Sequence, residues 1–552
     1  MTQKFPRLFL ILLAVLFILN LLQSYFTELI YDEAYYWYYA QNLDWGYFDH
    51  PPMVAFLIKL SSLFFEGELG VRFMSCVLSV GTYCFLWLLI DHPKKNDYVI
   101  HFFLLLFSMT LMNAYGFLTL PDTPLLFFTA LFLYLYKRFL ETPTIWISFF
   151  LGLVMAALMY SKYHAVLVIF FVFLSNIQLV RNGRAWLAVL VALLFYTPHF
   201  MWLYEHDFVS IKYHLFERPN QAYSFEKFTL GYLVNLVAIF GLLFYWVYLS
   251  LIKTKGTDKF TKALKYLTYG VLIFFFISSF NRRVQTQWII VVSISMAVLA
   301  FNHLLKNAQS RKWMYRMGLI SLIILLYARV WLIYQPLVPL LFETHGNKEW
   351  VQSLKSKAKG APVIFENSYR RSPMYEFYSG ESSFSLNNYM YRKNQYSIDG
   401  SEERVRGEKI LYSSKYRKEG DFSYKHPDST VFYGIFMDDF QSYRRLQCIV
   451  DKVVGSNQYS LKVYNPYPFE IPLNRLRYTI AYSNKYKQVK QLMPLTVEET
   501  KKNPPSLKPK DTAFYKFKLP KSKLENPGYF RIGISENGLL SGLNGIPIKM
   551  TK

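Results

Sequence analysis

Long apolar runs separated by short polar breaks fill the chain up to about residue 340, after which charges, Gly and Pro recur every few residues. Runs long enough to cross a bilayer begin near residues 8, 70, 99, 123, 145, 164, 186, 229, 266, 287 and 317. The pattern predicts a polytopic α-helical membrane region over 1–340, with about eleven spans (eleven to thirteen, two being short), and a soluble region over 341–552. In the soluble region, apolar and polar residues alternate at 361–366, 409–412, 431–436, 476–482 and 529–534, which predicts strands. Its expected fold is mixed α/β to about residue 455 and mostly β afterwards. The first run, 8–22, follows Lys4 and Arg7 as a signal peptide's would. It leads into Tyr25, Phe26 and Glu28 with no small-residue cleavage site, so it is expected to be a retained first span.

Composition agrees with this division. Of 552 residues, 53% are hydrophobic and 19% aromatic, more of both than ordinary soluble domains carry. The net charge of +24 does not point to nucleic acid, because no basic helix or RNA-binding signature is present. Many of the cations lie in the short breaks instead, where they act as topology signals. With the N-terminus in the cytoplasm, the cytoplasmic breaks hold 17 Lys and Arg and the opposite breaks six. That asymmetry places the soluble region outside a cytoplasmic (inner) membrane. Three cysteines, Cys76, Cys84 and Cys448, leave no disulfide within the soluble region and no metal-type spacing.

The opposite breaks carry the candidate chemistry. The segment 28–52 has no Lys or Arg but holds Asp32, Glu33, Asp44, Asp49 and His50. Around the adjacent acids runs Tyr31-Asp32-Glu33-Ala34-Tyr35-Tyr36-Trp37-Tyr38-Tyr39, whose aromatic density predicts a helix lying in the interfacial belt with its rings in the headgroup layer. Asp32 could be its N-cap, but a cap needs one carboxylate, not two. Next comes Phe48-Asp49-His50-Pro51-Pro52, where Pro51 pushes His50 towards extended backbone and holds a carboxylate and an imidazole at a rigid turn. In Pro121-Asp122-Thr123-Pro124, Thr123 and Pro124 look like the cap and first-turn proline of a span. Asp122 is then left one residue ahead of the cap. The break 202–228 holds His206, Asp207, Lys212, His214 and Arg218, while Lys162 and Arg282-Arg283 add positive charge on the same side. His214 could join Asp49 on a divalent metal. Each of these cations could equally be touching headgroups. Carboxylates and cations gathered at headgroup level suit transfer from a lipid phosphate: the cations hold the phosphate as charge develops on it, and a carboxylate takes the proton of an incoming hydroxyl.

The motifs Asp32-Glu33-Ala34-Tyr35-Tyr36-Trp37, Gly46-Tyr47-Phe48-Asp49-His50-Pro51-Pro52, Pro121-Asp122-Thr123-Pro124-Leu125, Ser161-Lys162-Tyr163 and His206-Asp207-Phe208-Val209-Ser210 stand in an order that resembles the GT-C glycosyltransferases. The resemblance is to the branch of the lipid A aminoarabinose transferases and protein O-mannosyltransferases, and it continues through 366–378 and Arg392-Lys393-Asn394-Gln395-Tyr396. It implies an inverting transfer from a polyprenyl-phosphate sugar to lipid A, a protein hydroxyl or a surface glycan, with Asp32 as the catalytic carboxylate and Glu33 and Asp122 supporting it. Lys162, Arg218, His50, Arg282 and Arg283 become candidates to hold the donor phosphate. Asp49 falls where the aminoarabinose enzymes carry a metal-linked glutamate, with His214 near their histidine partner. No metal is firmly required by the resemblance. This chain departs from that branch at His50, where those enzymes have lysine, and at Tyr35, where they have arginine. A polytopic transporter of a lipid-linked or anionic substrate is the rival reading, with a non-catalytic membrane scaffold behind it.

Overall fold

The structure, a computed structural model, describes residues 5–217, 221–452, 458–500 and 503–550. It divides into two compact units. Met1–Asp207 with Tyr223–His345 forms the first, and Phe208–Ala222 with Gly346–Lys552 forms the second.

The first unit is helical. Its helices are α1 (Arg7–Phe26), α2 (Tyr31–Gln41), α3 (Met53–Ser61), α4 (Gly67–Leu88), α5 (Val99–Phe107), α6 (Thr110–Ala114), α7 (Asp122–Glu141), α8 (Ile145–Ser161), α9 (Ala165–Leu174) and α10 (Gly183–Glu205). After the short α11 (Val209–Lys212), which belongs to the second unit, come α12 (Gly231–Ala238), α13 (Phe244–Lys253), α14 (Lys259–Ser278), α15 (Val292–Lys306) and α16 (Ala308–Ile333). All eleven apolar stretches are thus helical, as hydrocarbon requires of a backbone that must satisfy itself. Among the described residues six helices, α1, α4, α7, α10, α14 and α16, are long and apolar enough to cross a membrane. The stretch expected as one span near 229 is broken. Residues 226–238 and 241–253 meet at a 94° bend, counting as a seventh span only if the pair is taken together. Gly241 at the break has φ +53°, a conformation costly for a residue with a Cβ. The helices α8, α9 and α15 are shorter apolar elements, which is why eleven runs do not become eleven full-length spans.

Rings fill the core. Phe9, Trp87, Phe102 and Phe301 pack with centroids 4.9–6.2 Å apart. Lys95, one of the topology-signal cations, also has a local task. Its Nζ donates to the carbonyls of Trp87 (3.1 Å) and Ile90 (2.8 Å), closing the C-terminal end of α4. Arg329 of α16 is buried and ties that helix to the others: Nε donates to Asn113 Oδ1 (3.0 Å), Nη2 to Asn20 Oδ1 (2.9 Å), and the guanidinium lies 4.4 Å from the centre of the Phe117 ring.

The second unit opens with α17 (Asn347–Ala358), β1 (Val363–Glu366), α18 (Arg371–Ser379), β2 (Ser383–Leu386), β3 (Ile410–Ser414), β4 (Phe422–Lys425) and β5 (Val431–Met437). These strands form one sheet in the order β2-β1-β3-β5-β4, with β1 parallel to both of its neighbours. Beyond them lie β6 (Gln447–Lys452), β7 (Gln458–Tyr464), β8 (Ile471–Pro472), β9 (Arg477–Ser483), β10 (Val489–Pro494), β11 (Glu498–Glu499), β12 (Ser506–Leu507), β13 (Thr512–Lys518), β14 (Tyr529–Ser535) and β15 (Ile548–Lys549). They make antiparallel sheets ordered β10-β9-β14-β15 and β11-β13-β7-β6, with β12 paired to β8, around a core of Tyr467, Ile480, Tyr482 and Ile534. The mixed α/β sheet thus precedes the mostly β part, and its central strands β1 and β3 are buried at every residue. Segment 208–217 packs on this unit, where Arg392 donates to the Tyr213 hydroxyl at 3.2 Å.

A pH response is built into the mixed sheet. His426 is only 5% exposed, and burial followed by the nearby Arg371 charge lowers its pKa from 6.5 to about 4, which Asp428 at 3.0 Å opposes only in part. Between those two pH values the unfolded chain binds a proton that the folded chain refuses, so stability falls as pH drops through that window. The loss is on the order of 3 kcal/mol. Thermal unfolding of the wild type should therefore weaken from pH 6.5 to 4 more steeply than that of His426→Gln. Equal slopes would remove His426 as the cause.

Candidate active site

The acid pair at 32–33 is set by a cation from another helix. Glu33 and Arg72 of α4 are both fully buried, with Arg72 Nε donating to Glu33 Oε1 at 2.8 Å and Nη2 to Oε2 at 2.5 Å. The remaining Arg72 donors reach the carbonyls of Ser24 (3.1 Å), Thr27 (2.6 Å) and Glu28 (3.0 Å). All five guanidinium N–H bonds are thereby used, and the turn between α1 and α2 is wound around one side chain. Glu33 in turn accepts from the backbone N–H of Ile30 (3.2 Å) and of Thr119 (2.8 Å). Tyr31 N–H goes to Glu343 at 3.3 Å. Glu33 and Glu343 take the Ile30 and Tyr31 N–H groups at the start of α2, and Asp32 lies half-buried in its first turn. Glu33 is a positioning group here, committed to Arg72 on both oxygens.

Four of the rings of α2, Tyr35, Tyr36, Tyr38 and Tyr39, are buried against protein, so their tips are not wet as the aromatic density suggested. Tyr39 stacks on Tyr47 with centroids 4.1 Å apart and planes 6° apart, and its hydroxyl donates to Asp49 Oδ1 at 2.7 Å. Burial and then the Asp49 charge push the Tyr39 phenol pKa well up, so it remains a donor. Tyr47 closes the turn: its hydroxyl donates to the carbonyl of Tyr39 (3.0 Å), and its N–H to that of His50 (3.0 Å). The His50 ring meets Tyr36 edge-on at 5.5 Å. The same turn is fastened to α10, where Trp202 Nε1 donates to Asp44 Oδ2 at 2.7 Å and His199 Nδ1 lies 2.7 Å from the Trp45 carbonyl. Gly46 permits this approach, because a Cβ there would meet the Trp202 ring at 2.4 Å.

Asp122 and Lys162, expected in different roles, form one buried ion pair at 2.7 Å. Asp122 is the first residue of α7, which starts two residues earlier than a Thr123 cap would have it; Thr123 turns its hydroxyl back to the Leu118 carbonyl (2.9 Å) instead of capping. Burial, then the charges of Asp122 and Asp32, hold the Tyr115 phenol well above the usual pKa. Both acids thus act on one tyrosine that sequence reading passed over.

Two solved structures share this architecture. ArnT from Cupriavidus metallidurans in its apo state matches with a TM-score of 0.55 at 12% identity, over 74% of this chain and 92% of that one. The same enzyme bound to undecaprenyl phosphate matches with a TM-score of 0.57 at 13% identity, over 78% and 97%. The chain has the GT-C glycosyltransferase fold. Residues 49–202 of this GT-C chain match the family described as dolichyl-phosphate-mannose-protein mannosyltransferase, a stretch that includes Asp122 and Lys162. A curated relative, the lipid A galacturonosyltransferase RgtD of Rhizobium johnstonii, is 22% identical over 290 residues, covering 50% of this chain and 60% of the relative's own length.

The other expected GT-C site residues are more scattered. Arg282 and Arg283 are exposed beyond α14, and Arg218 lies outside the described residues. Asp49 belongs to the first unit and His214 to the second. Among the described residues no group of three or more His, Cys, Asp or Glu is placed to hold a metal ion, and Asp49 already accepts the Tyr39 hydroxyl. Sequence reading missed Arg72, although a signal was present: a basic residue inside an apolar span is expensive and needs a partner.

Proposed function

We propose that this GT-C protein is a membrane glycosyltransferase that moves a sugar from a polyprenyl-phosphate carrier to an acceptor outside the cytoplasm. Its N-terminus would lie in the cytoplasm of a cell whose inner membrane it spans, and the second unit outside. The observation that carries this reading is the pair of buried ion pairs on the α1–α10 unit: Glu33–Arg72, which fixes the first turn of α2 where Asp32 stands, and Asp122–Lys162. Support comes from the polyprenyl phosphate bound to ArnT and from the lipid A and protein acceptors in the names of the related proteins.

In this reading Asp32 orients the acceptor oxygen and takes its proton as the sugar's anomeric carbon passes from the donor phosphate to that oxygen. Glu33 does not exchange protons; it fixes where Asp32 points. Lys162 has three N–H donors, so it can hold Asp122 and still reach a donor phosphate oxygen. His50, Arg282 and Arg283, on the same unit as Lys162, remain candidates for further phosphate contacts, while Asp49 and His214 stand on separate units. Two donors on separate units fall short of a metal-binding set, so no step is routed through a metal. A transporter has one feature in its favour, the bent pair 226–253, since broken helices line transport sites.

The test is transfer by the full-length protein in lipid from labelled polyprenyl-phosphate sugars to an envelope extract. Labelled product is the expected result. Folded protein that transfers from no donor would move the assignment to the transporter. The Asp122–Lys162 pair has its own check. Lys162→Met should destabilise the protein by about 3 kcal/mol, because it leaves a buried carboxylate without its cation. The double variant Lys162→Met/Asp122→Leu should regain most of that stability but not transfer. Wild-type transfer by the double variant would make the pair purely structural.

A further inference from the structure

The motifs at 366–378 and 392–396 are not used by the membrane site, and they meet at one place in the second unit. Strand β1 lies between β2 and β3 and is parallel to both, while the chain runs β1-α18-β2 on one side and then crosses β1 to reach β3. The strand order therefore reverses at β1. In open α/β sheets the crevice outside the carboxyl ends of the strands at such a reversal is where ligands bind.

That crevice has a polar floor. Glu366, the last residue of β1, is 8% exposed and accepts from Asn388 Nδ2 at 2.8 Å and from the Ser414 hydroxyl at the end of β3. Asn388 follows β2, so all three parallel strands contribute. Asn367 holds Asn388 from the other side, its Nδ2 donating to Asn388 Oδ1 at 2.8 Å, and does so from a left-handed backbone of φ 54°. The Tyr412 side chain hydrogen-bonds Glu366 as well, and since a carboxylate offers about four acceptor positions, Glu366 can still take one further hydroxyl. The walls are aromatic and cationic. Tyr369 and Tyr391 stand with centroids 6.1 Å apart, and the Arg392 guanidinium lies 4.3 Å from the Tyr369 ring centre.

The geometry points to a binding subsite for an anionic saccharide, the glycan part of the acceptor, at the carboxyl ends of β1, β2 and β3. Sugar hydroxyls bond to Glu366 and Asn388, the C–H faces of the ring lie on Tyr369 or Tyr391, and Arg392 takes the phosphate or carboxylate substituent. As the acceptor's binding place, the subsite rests on the transferase reading, but its chemistry can be measured separately.

The experiment is binding of trigalacturonate, glucosamine 6-phosphate and maltotriose to the full-length protein in phosphatidylcholine nanodiscs, for wild type, Glu366→Gln and Arg392→Ala. The two anionic sugars should bind and neutral maltotriose should bind at least tenfold more weakly. Glu366→Gln keeps the shape of the floor and should cost at least tenfold in affinity with unchanged thermal unfolding. Arg392→Ala should remove the preference for anions while leaving Glu366-dependent binding. Sugar binding with no transfer would retain the subsite and sink the transferase reading; transfer with no sugar binding would do the reverse. Displacement of the sugars by phosphatidylglycerol as well as by one another would show a general anionic headgroup site and overturn the proposal.

Discussion

Asp32→Asn is expected to lower transfer from a polyprenyl-phosphate sugar by about 10²–10⁴-fold, the usual worth of a positioned general base. The substitution keeps the shape of the side chain and removes only its ability to accept a proton. Glu33 and Glu343 still take the Ile30 and Tyr31 N–H groups at the start of α2 in this variant. Thermal unfolding should then be unchanged, and the effect should fall on kcat with little change in KM for the donor. Glu33→Gln should behave differently, losing stability as well as activity, because Glu33 carries the ion pair. Asp32→Asn activity within tenfold of wild type would remove the residue from the chemistry and turn attention to Asp122.

Arg72→Ala should be the most damaging single change to the protein's stability. It takes away five hydrogen bonds and leaves Glu33 buried without its cation, which costs about 3–5 kcal/mol when one partner of a buried pair is removed. Denaturation in detergent or nanodiscs should show that loss directly. An apolar double replacement, Arg72→Met with Glu33→Leu, should recover much of the stability, since well-packed apolar side chains often replace a buried pair at no net cost. It should not recover transfer, because Asp32 would no longer be aimed by the clamp. If the double variant transfers like wild type, the clamp is structural alone. If Arg72→Ala melts like wild type, the burial argument itself fails.

The legible and illegible parts of the site differ in sequence range. The density of Tyr around Asp32 marked an amphipathic environment, but a ring at a membrane surface and a ring packed on another ring have the same composition. Only Tyr39 stacked on Tyr47 distinguishes them. The acids at 32, 33 and 122 were visible because carboxylates beside apolar spans are costly and few. Their partners were not. Glu33 meets Arg72 at 39 residues' separation and Asp122 meets Lys162 at 40, through helices whose rotation about their own axes no local pattern states.

Within the second unit the same boundary appears. Short apolar stretches marked β1, β3, β5, β9 and β14; β1 and β3 are buried at every residue, while β5 buries alternate residues over its first half. Strand order was not written there, so the reversal at β1, and with it the crevice at Glu366, came only from the assembled sheet.

By itself, then, the sequence determined which stretches are helices in hydrocarbon, which alternate as strands, and which few charges stand where charge is expensive. Those are properties of single segments, decided by transfer of each segment out of water and by hydrogen bonds within it. The tertiary structure decided which charge each of those charges meets, that the 226–253 helix breaks at Gly241, and that the α2 rings face protein. These outcomes depend on distances between segments, and a pairing across some forty residues is set by how helices pack, not by anything either residue's neighbours encode.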